Sequence, residues 1–147
     1  MGQTLTNDQR IEVPRRFMAE VFNGQNPERA RDFFTADALW HGPSIAEVTG
    51  VDSIVGLLGA FIGALSNIRA EEQDAIASGD LVALRLVVTA TQTGDLLGIP
   101  ASGREVRWDA VDIYRVTDDG KISEQWACED MAAIGSQLGA FSLPWAG

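Results

Sequence analysis

The sequence predicts an α+β fold, a curved antiparallel β-sheet whose concave face is closed by N-terminal helices. Two observations carry this. The segment Leu81–Asp130 holds three β-patterned runs, Leu81–Thr93, Glu105–Val116 and Lys121–Asp130, separated by turn signals. Upstream of it, apolar residues recur at spacings of three and four, the signature of helices with one greasy side. No repeat, low-complexity block or linker interrupts the chain, so its 147 residues read as one domain, with 1–7 and 140–147 as tails.

In chain order, Ile11, Val13, Phe17, Met18, Val21 and Phe22 form the first helical stripe, within Asp8–Asn23. Asn7 or Asp8 is the expected cap and Gly24 the expected stop. Pro14 fits best in a first turn, which places the start of regular helix near Val13. Asn26-Pro27 opens a second, short helix with Ala30, Phe33 and Phe34 on its apolar side. Residues 38–43 (ALWHGP) read as a short strand. A third helix, capped by Asp52 or Ser53, runs through Ile54, Leu57, Leu58, Phe61, Ile62 and Leu65 to about Ser66. Its glycines, Gly56, Gly59 and Gly63, point to close packing against another element or, as the alternative, to a glycine-lined site. Arg69–Ala77 is a strand followed by a turn at Ser78-Gly79-Asp80. Asp119-Gly120 supplies a hairpin turn between the last two strands. The Gly- and Pro-rich segment Gly94–Gly103 is long for a hairpin loop and suits a flap over a pocket. Met131–Leu138 closes the fold as a short helix.

Composition excludes several functions. Hydrophobic content is 46% and charged content 22%, as in soluble globular proteins. No apolar run reaches the ~20 residues of a membrane span, and residues 1–10 are too polar for a secretory signal. The expected location is the cytoplasm, in keeping with a single cysteine, Cys128. A net charge of −10 with a single lysine disfavours nucleic acid. One histidine and one cysteine cannot build the usual metal clusters, and no Gly-rich phosphate loop sits between a strand and a helix.

Strand alternation puts Val106, Trp108, Ala110, Asp112 and Tyr114 on one face. Asp112 is the ionisable member of an apolar row. A carboxyl facing an apolar cavity is pushed toward its neutral form, which suits acid or base work, although a buried Asp bonded to backbone or to Arg85 would look the same. Arg85 lies in the run Leu84–Val88. It either faces a carboxylate partner across the sheet, where it could polarise a substrate carbonyl, or points outward. His41 is the only histidine, and imidazole is the commonest proton carrier near neutrality. Met18, Phe22, Trp40, Phe61, Trp108 and Tyr114 are stock for an apolar pocket or simply core.

Several segments together resemble the SnoaL-like polyketide cyclases of the nuclear transport factor-like superfamily. They are residues 22–24 (FNG), 39–43 (LWHGP), 93–104 (TGDLLGIPASGR), 112–116 (DIYRV), 119–122 (DGKI) and 137–139 (QLG). The resemblance covers about residues 10–140. It implies a helix-lidded cone with a deep apolar pocket, a homodimer built through the sheet, and neither metal nor organic cofactor. It places the segment from His41 to Pro43 at the pocket mouth. The aspartate of the ring-closing aldol members falls at Ala127, which moves no proton. Alternation from Ala127 puts Gln125 and Glu129 on the same side, and Glu129, one pleat or about 6–7 Å away, is the substitute acid or a solvated strand end. The expected function is cofactor-independent ring closure on a small, hydrophobic polyketide-type substrate. Asp112, His41, Glu129 and Arg85 would serve catalysis, and Gln125 would join the apolar stock in binding. Hydroxylation, epoxide opening and plain ligand binding are the alternatives on the same fold.

Overall fold

A computed structural model describes residues 4–146; the tail assignments for residues 1–3 and 147 lie outside them. Three α-helices and six strands follow in the order α1 (Asn7–Phe17), β1 (Phe34–Gly42), β2 (Ala46–Thr49), α2 (Val51–Gly63), β3 (Leu65–Ser78), β4 (Leu81–Gln92), β5 (Glu105–Val116), β6 (Ile122–Glu129) and α3 (Met131–Gln137). Between α1 and β1 the chain makes a π-helical turn at Met18–Asn23 and a 3₁₀ helix at Pro27–Asp32. The strands form one sheet in the order β2-β1-β6-β5-β4-β3. All pairs are antiparallel except β1 with β6, which is parallel, so the sheet is mostly rather than wholly antiparallel.

Local chemistry explains most boundaries and corrects some expectations. α1 is capped by Thr6, not by Asn7 or Asp8. The Thr6 hydroxyl accepts from Gln9 N at 3.1 Å, and Gln9 Oε1 accepts from Thr6 N at 2.9 Å. This reciprocal capping box starts the helix at Asn7, so Pro14 sits inside the helix rather than in its first turn. The widened π-turn follows within one turn of Pro14, and Asn23 at its end pairs with the backbone of Ala70 on edge strand β3, donating at 3.2 Å and accepting at 2.7 Å. Phe34 begins β1 instead of ending the second helix, because the 3₁₀ segment stops at Asp32. α2 starts at Val51 behind Gly50, without a side-chain cap, and stops at Gly63. A Cβ added at Gly56 or Gly63 would meet nothing within 4 Å, so close packing does not account for these glycines.

The core lies between the helices and the inner face of the sheet. Ile54, Val55, Leu58 and Ile62 of α2 are buried there, as are Phe17 of α1 and the even-numbered residues of β4 and β5. Phe17 is packed edge-on by Phe22, Phe33, Phe34 and Tyr114 at 5.2–6.1 Å. Among the described residues no helix is long and apolar enough to cross a membrane.

Candidate active site

The inner rows of the last two strands set the polar floor of a pocket. On β5, Asp112 and Tyr114 point inward with the apolar row around them. On β6, Gln125, Ala127 and Glu129 point inward. Register places Asp112 beside Ala127, Tyr114 beside Gln125, and Ala110 beside Glu129, so Asp112 and Glu129 are diagonal neighbours. Trp40 of β1 pairs with Gln125 and forms a wall. Phe22, from the π-turn, and Leu57, Leu58 and Phe61, from α2, form the opposite wall. Asp95, Leu96 and Leu97 close the mouth.

That closure is built from the Gly94–Gly103 segment, which forms a small pinned structure. Gln92 Nε2 donates to Ile99 O at 2.9 Å, and Ser102 Oγ donates to Gln92 Oε1 at 2.6 Å. Leu96 and Ile99 exchange backbone bonds at 2.8 and 2.9 Å around Leu97 and Gly98, both with positive φ (51° and 81°). That is the signature of a type I′ turn. Asp95 Oδ1 accepts from Ala101 N at 3.0 Å and braces the base. Gly94 runs so close to α2 that an added Cβ would lie 3.2 Å from Ala64 Cα.

The enclosed volume is ≈ 120 Å³. A cavity of about 150 Å³ holds one benzene ring, whereas drug-sized ligands occupy about 300–1,000 Å³. In this state the pocket is slightly smaller than such a one-ring cavity, and a ring-sized or larger guest requires the Leu96–Leu97 flap to move outward.

Electrostatically the pocket floor is unusual. Asp112 is 2% exposed. Its Oδ2 accepts from Tyr114 Oη at 3.3 Å, and its Oδ1 has no partner. Burial pushes its pKa well above the usual carboxylate range, and the charge of Glu129 pushes it further. Glu129 is raised as well, again by burial, partly offset by the indole N–H of Trp108, which donates to Glu129 Oε2. Tyr114 is raised by burial and by the adjacent Asp112. Trp40 Nε1 and Gln125 Oε1 are also buried without partners. Three pocket residues thus leave polar atoms unpaired, and such atoms cost about 1–3 kcal/mol each unless water or a ligand meets them.

The sequence-predicted residues fall into three groups. Phe22, Trp40, Phe61, Asp112, Gln125 and Glu129 line one pocket. Met18, Trp108 and Tyr114 stand behind it: Met18 is core, Trp108 buttresses Phe61 edge-on at 6.1 Å and holds Glu129, and Tyr114 holds Asp112. Arg85 and His41 are on the other side of the sheet. Arg85 is 55% exposed and bonds Asp74 Oδ2 at 2.7 Å, far from being the partner of Asp112. His41 follows the inward Trp40, so alternation turns it outward. There it stacks on Trp126 (5.4 Å between ring centres) and meets Glu124 at 2.8 Å and Glu47 at 3.2 Å. Glu124, chiefly, raises its pKa. Sequence reasoning missed Ile45, Leu57, Leu58, Ala60, Asp95, Leu96 and Leu97 as lining residues. The Leu96-Leu97 pair inside a Gly- and Pro-rich flap was the available signal for the last two. Among the described residues no group of three or more His, Cys, Asp or Glu is placed to hold a metal ion.

A mostly antiparallel sheet, wrapped on helices around an apolar pocket floored by two carboxyls, defines a small-molecule pocket of the nuclear transport factor-like fold. The chain belongs to the SnoaL-like polyketide cyclase family, whose model matches residues 12–138. A candidate SnoaL-like polyketide cyclase from Jannaschia sp. CCS1 is 21% identical over 95% of this chain and 99% of its own, with a TM-score of 0.84. IdmH, a candidate polyketide cyclase from Streptomyces antibioticus, is 26% identical over 92% of this chain and 99% of its own (TM-score 0.72). AclR, a candidate hydroxylase from Streptomyces galilaeus, is 26% identical over 92% and 99% (TM-score 0.79). No match is found among curated proteins.

Proposed function

We propose that this protein is a cofactor-independent tailoring enzyme that closes a ring on a small, hydrophobic polyketide-type intermediate. The observation that carries the reading is the Asp112–Glu129 pair: two carboxyls in one apolar pocket, one of them orphaned at Oδ1. Neighbouring buried carboxyls do not both ionise, so the pair retains one proton. Asp112, the more deeply buried, keeps it and acts as the acid. Glu129, held by Trp108, carries the charge and acts as the base. Ala127 leaves the space beside Asp112 free for the reacting group. The larger part of the acceleration comes from holding the substrate folded, which in well-aligned systems removes about 7–11 kcal/mol of barrier. Arg85 and His41 have no part in this chemistry.

The test offers the purified protein a linear precursor with no added cofactor and follows product mass. Unchanged mass is expected. The likeness to AclR favours hydroxylation as a second reading, and a gain of one oxygen atom would replace ring closure with it. A gain of water would mean epoxide opening.

A further inference from the structure

We propose that the pocket selects a guest carrying a basic nitrogen, an ammonium or iminium group, next to a flat apolar ring and an oxygen acceptor, and that it rejects carboxylates. The inference rests on reading this pocket as a substrate site and names the chemistry the site takes. Its lining includes three acidic residues, Asp95 at the mouth and Asp112 and Glu129 at the floor, and no Lys, Arg or His. The basic side chains that form salt bridges do so with acids other than Asp112 and Glu129. A charge on the floor pair is therefore buried without a protein counter-ion, an arrangement that is costly unless a ligand supplies one.

Independent features point to the same guest. Gln125 is 2% exposed with Oε1 unpaired, so a buried acceptor atom of the pocket lining stands ready for an N–H donor in the chamber that holds Glu129. Phe22, Trp40 and Phe61 supply aromatic surface to the same chamber, and ring faces attract cations. Trp40 Nε1 is a buried donor without an acceptor, which calls for an oxygen on the guest. The overall charge of −10 draws cations toward the protein and repels anions. A carboxylate guest would add a like charge beside Glu129 with no basic side chain in the lining to meet it.

Three single-ring probes of nearly equal size test this by calorimetry at pH 7 and low salt: benzylamine, benzyl alcohol and benzoate. Benzylammonium is expected to bind at least tenfold more tightly than benzyl alcohol, with benzoate below detection. In Glu129→Gln the amine preference is expected to fall at least fivefold, with the fold checked by circular dichroism; the wild-type series decides alone if the variant does not fold. Benzoate binding as well as benzylammonium, no detectable amine binding, or an unchanged preference in folded Glu129→Gln each overturn the inference. The outcome is separable from the mass experiment. Amine selectivity with an oxygenated product keeps this inference and removes ring closure; ring closure without amine selectivity does the reverse.

Discussion

The two faces of one sheet treat charge in opposite ways. On the outer face, Arg85 meets Asp74, Arg115 meets Asp80 and Glu124, and His41 lies between Glu47 and Glu124. These groups are paired and mostly wet, and such pairs are worth about 0–1 kcal/mol. On the inner face, Asp112 is dry and Glu129 half-buried; they are diagonal neighbours, both carboxyls, and neither has a basic partner among the described residues. Outer charges are a solubility feature with optional geometry. A charge on the inner pair weakens the fold, and an arrangement that costs stability at a pocket floor is the ground for proposing that chemistry is done there.

The strongest way to break this contrast is to neutralise the inner pair. Asp112→Asn and Glu129→Gln are each expected to slow turnover by about 10²–10⁴-fold, the range of general acid–base catalysis, measured as kcat on a cyclising precursor. Asp112→Asn is at the same time expected to raise Tm. The folded pKa of Asp112 lies above its unfolded one, so its neutral form favours the fold at low pH, and that advantage is lost as pH rises through the folded value. The gain in Tm should be clear at pH 8 and vanish below the ordinary aspartate pKa of about 3.9. Equal stability curves for the two proteins would remove the burial argument.

Next in size is the flap. Leu97 contacts the pocket but is 46% exposed. Leu97→Ala therefore loses about 1 kcal/mol of apolar contact, roughly fivefold in affinity for a ring-sized guest, with kcat nearly unchanged. Gly56→Ala on α2 is expected to stabilise by up to about 1 kcal/mol in denaturant melts, because the site is open and helical. Smallest are the outer substitutions. Arg85→Ala should change stability by less than about 0.5 kcal/mol and leave activity intact. His41→Asn should spare activity too and remove only a pH effect: the raised His41 pKa favours the fold below about 6.5, an advantage lost as pH rises through the raised value.

The same contrast explains what the sequence could reveal. The inner row of β5 was legible because Val106, Trp108 and Ala110 alternate with Glu105, Arg107 and Asp109, and carrying that phase past the apolar outer Val111 and Ile113 places Asp112 inside with Tyr114. β4 was not legible in this way. Ala83 and Val87 flank Arg85 on its own row, so both faces of the strand look apolar and alternation could not say which was inward. On β1 the information was present: Trp40 and His41 are consecutive, and consecutive strand residues cannot share a pocket. Thr6 and Gln9 likewise spelled a capping box that the more obvious Asn7 and Asp8 obscured. β2, four residues long, carries too little pattern to announce itself. The Asp112–Glu129 contact depends on cross-strand register, which sequence periodicity does not fix.

The most direct measurement is a carbon-13 NMR titration of the Asp112 side-chain carboxyl, assigned by its loss in Asp112→Asn. A midpoint well above the ordinary aspartate range of about 3.9, moving down when Glu129 becomes Gln, is the expected result. A midpoint at or below that range, unmoved by the change at Glu129, would contradict a buried proton-sharing pair at the pocket floor.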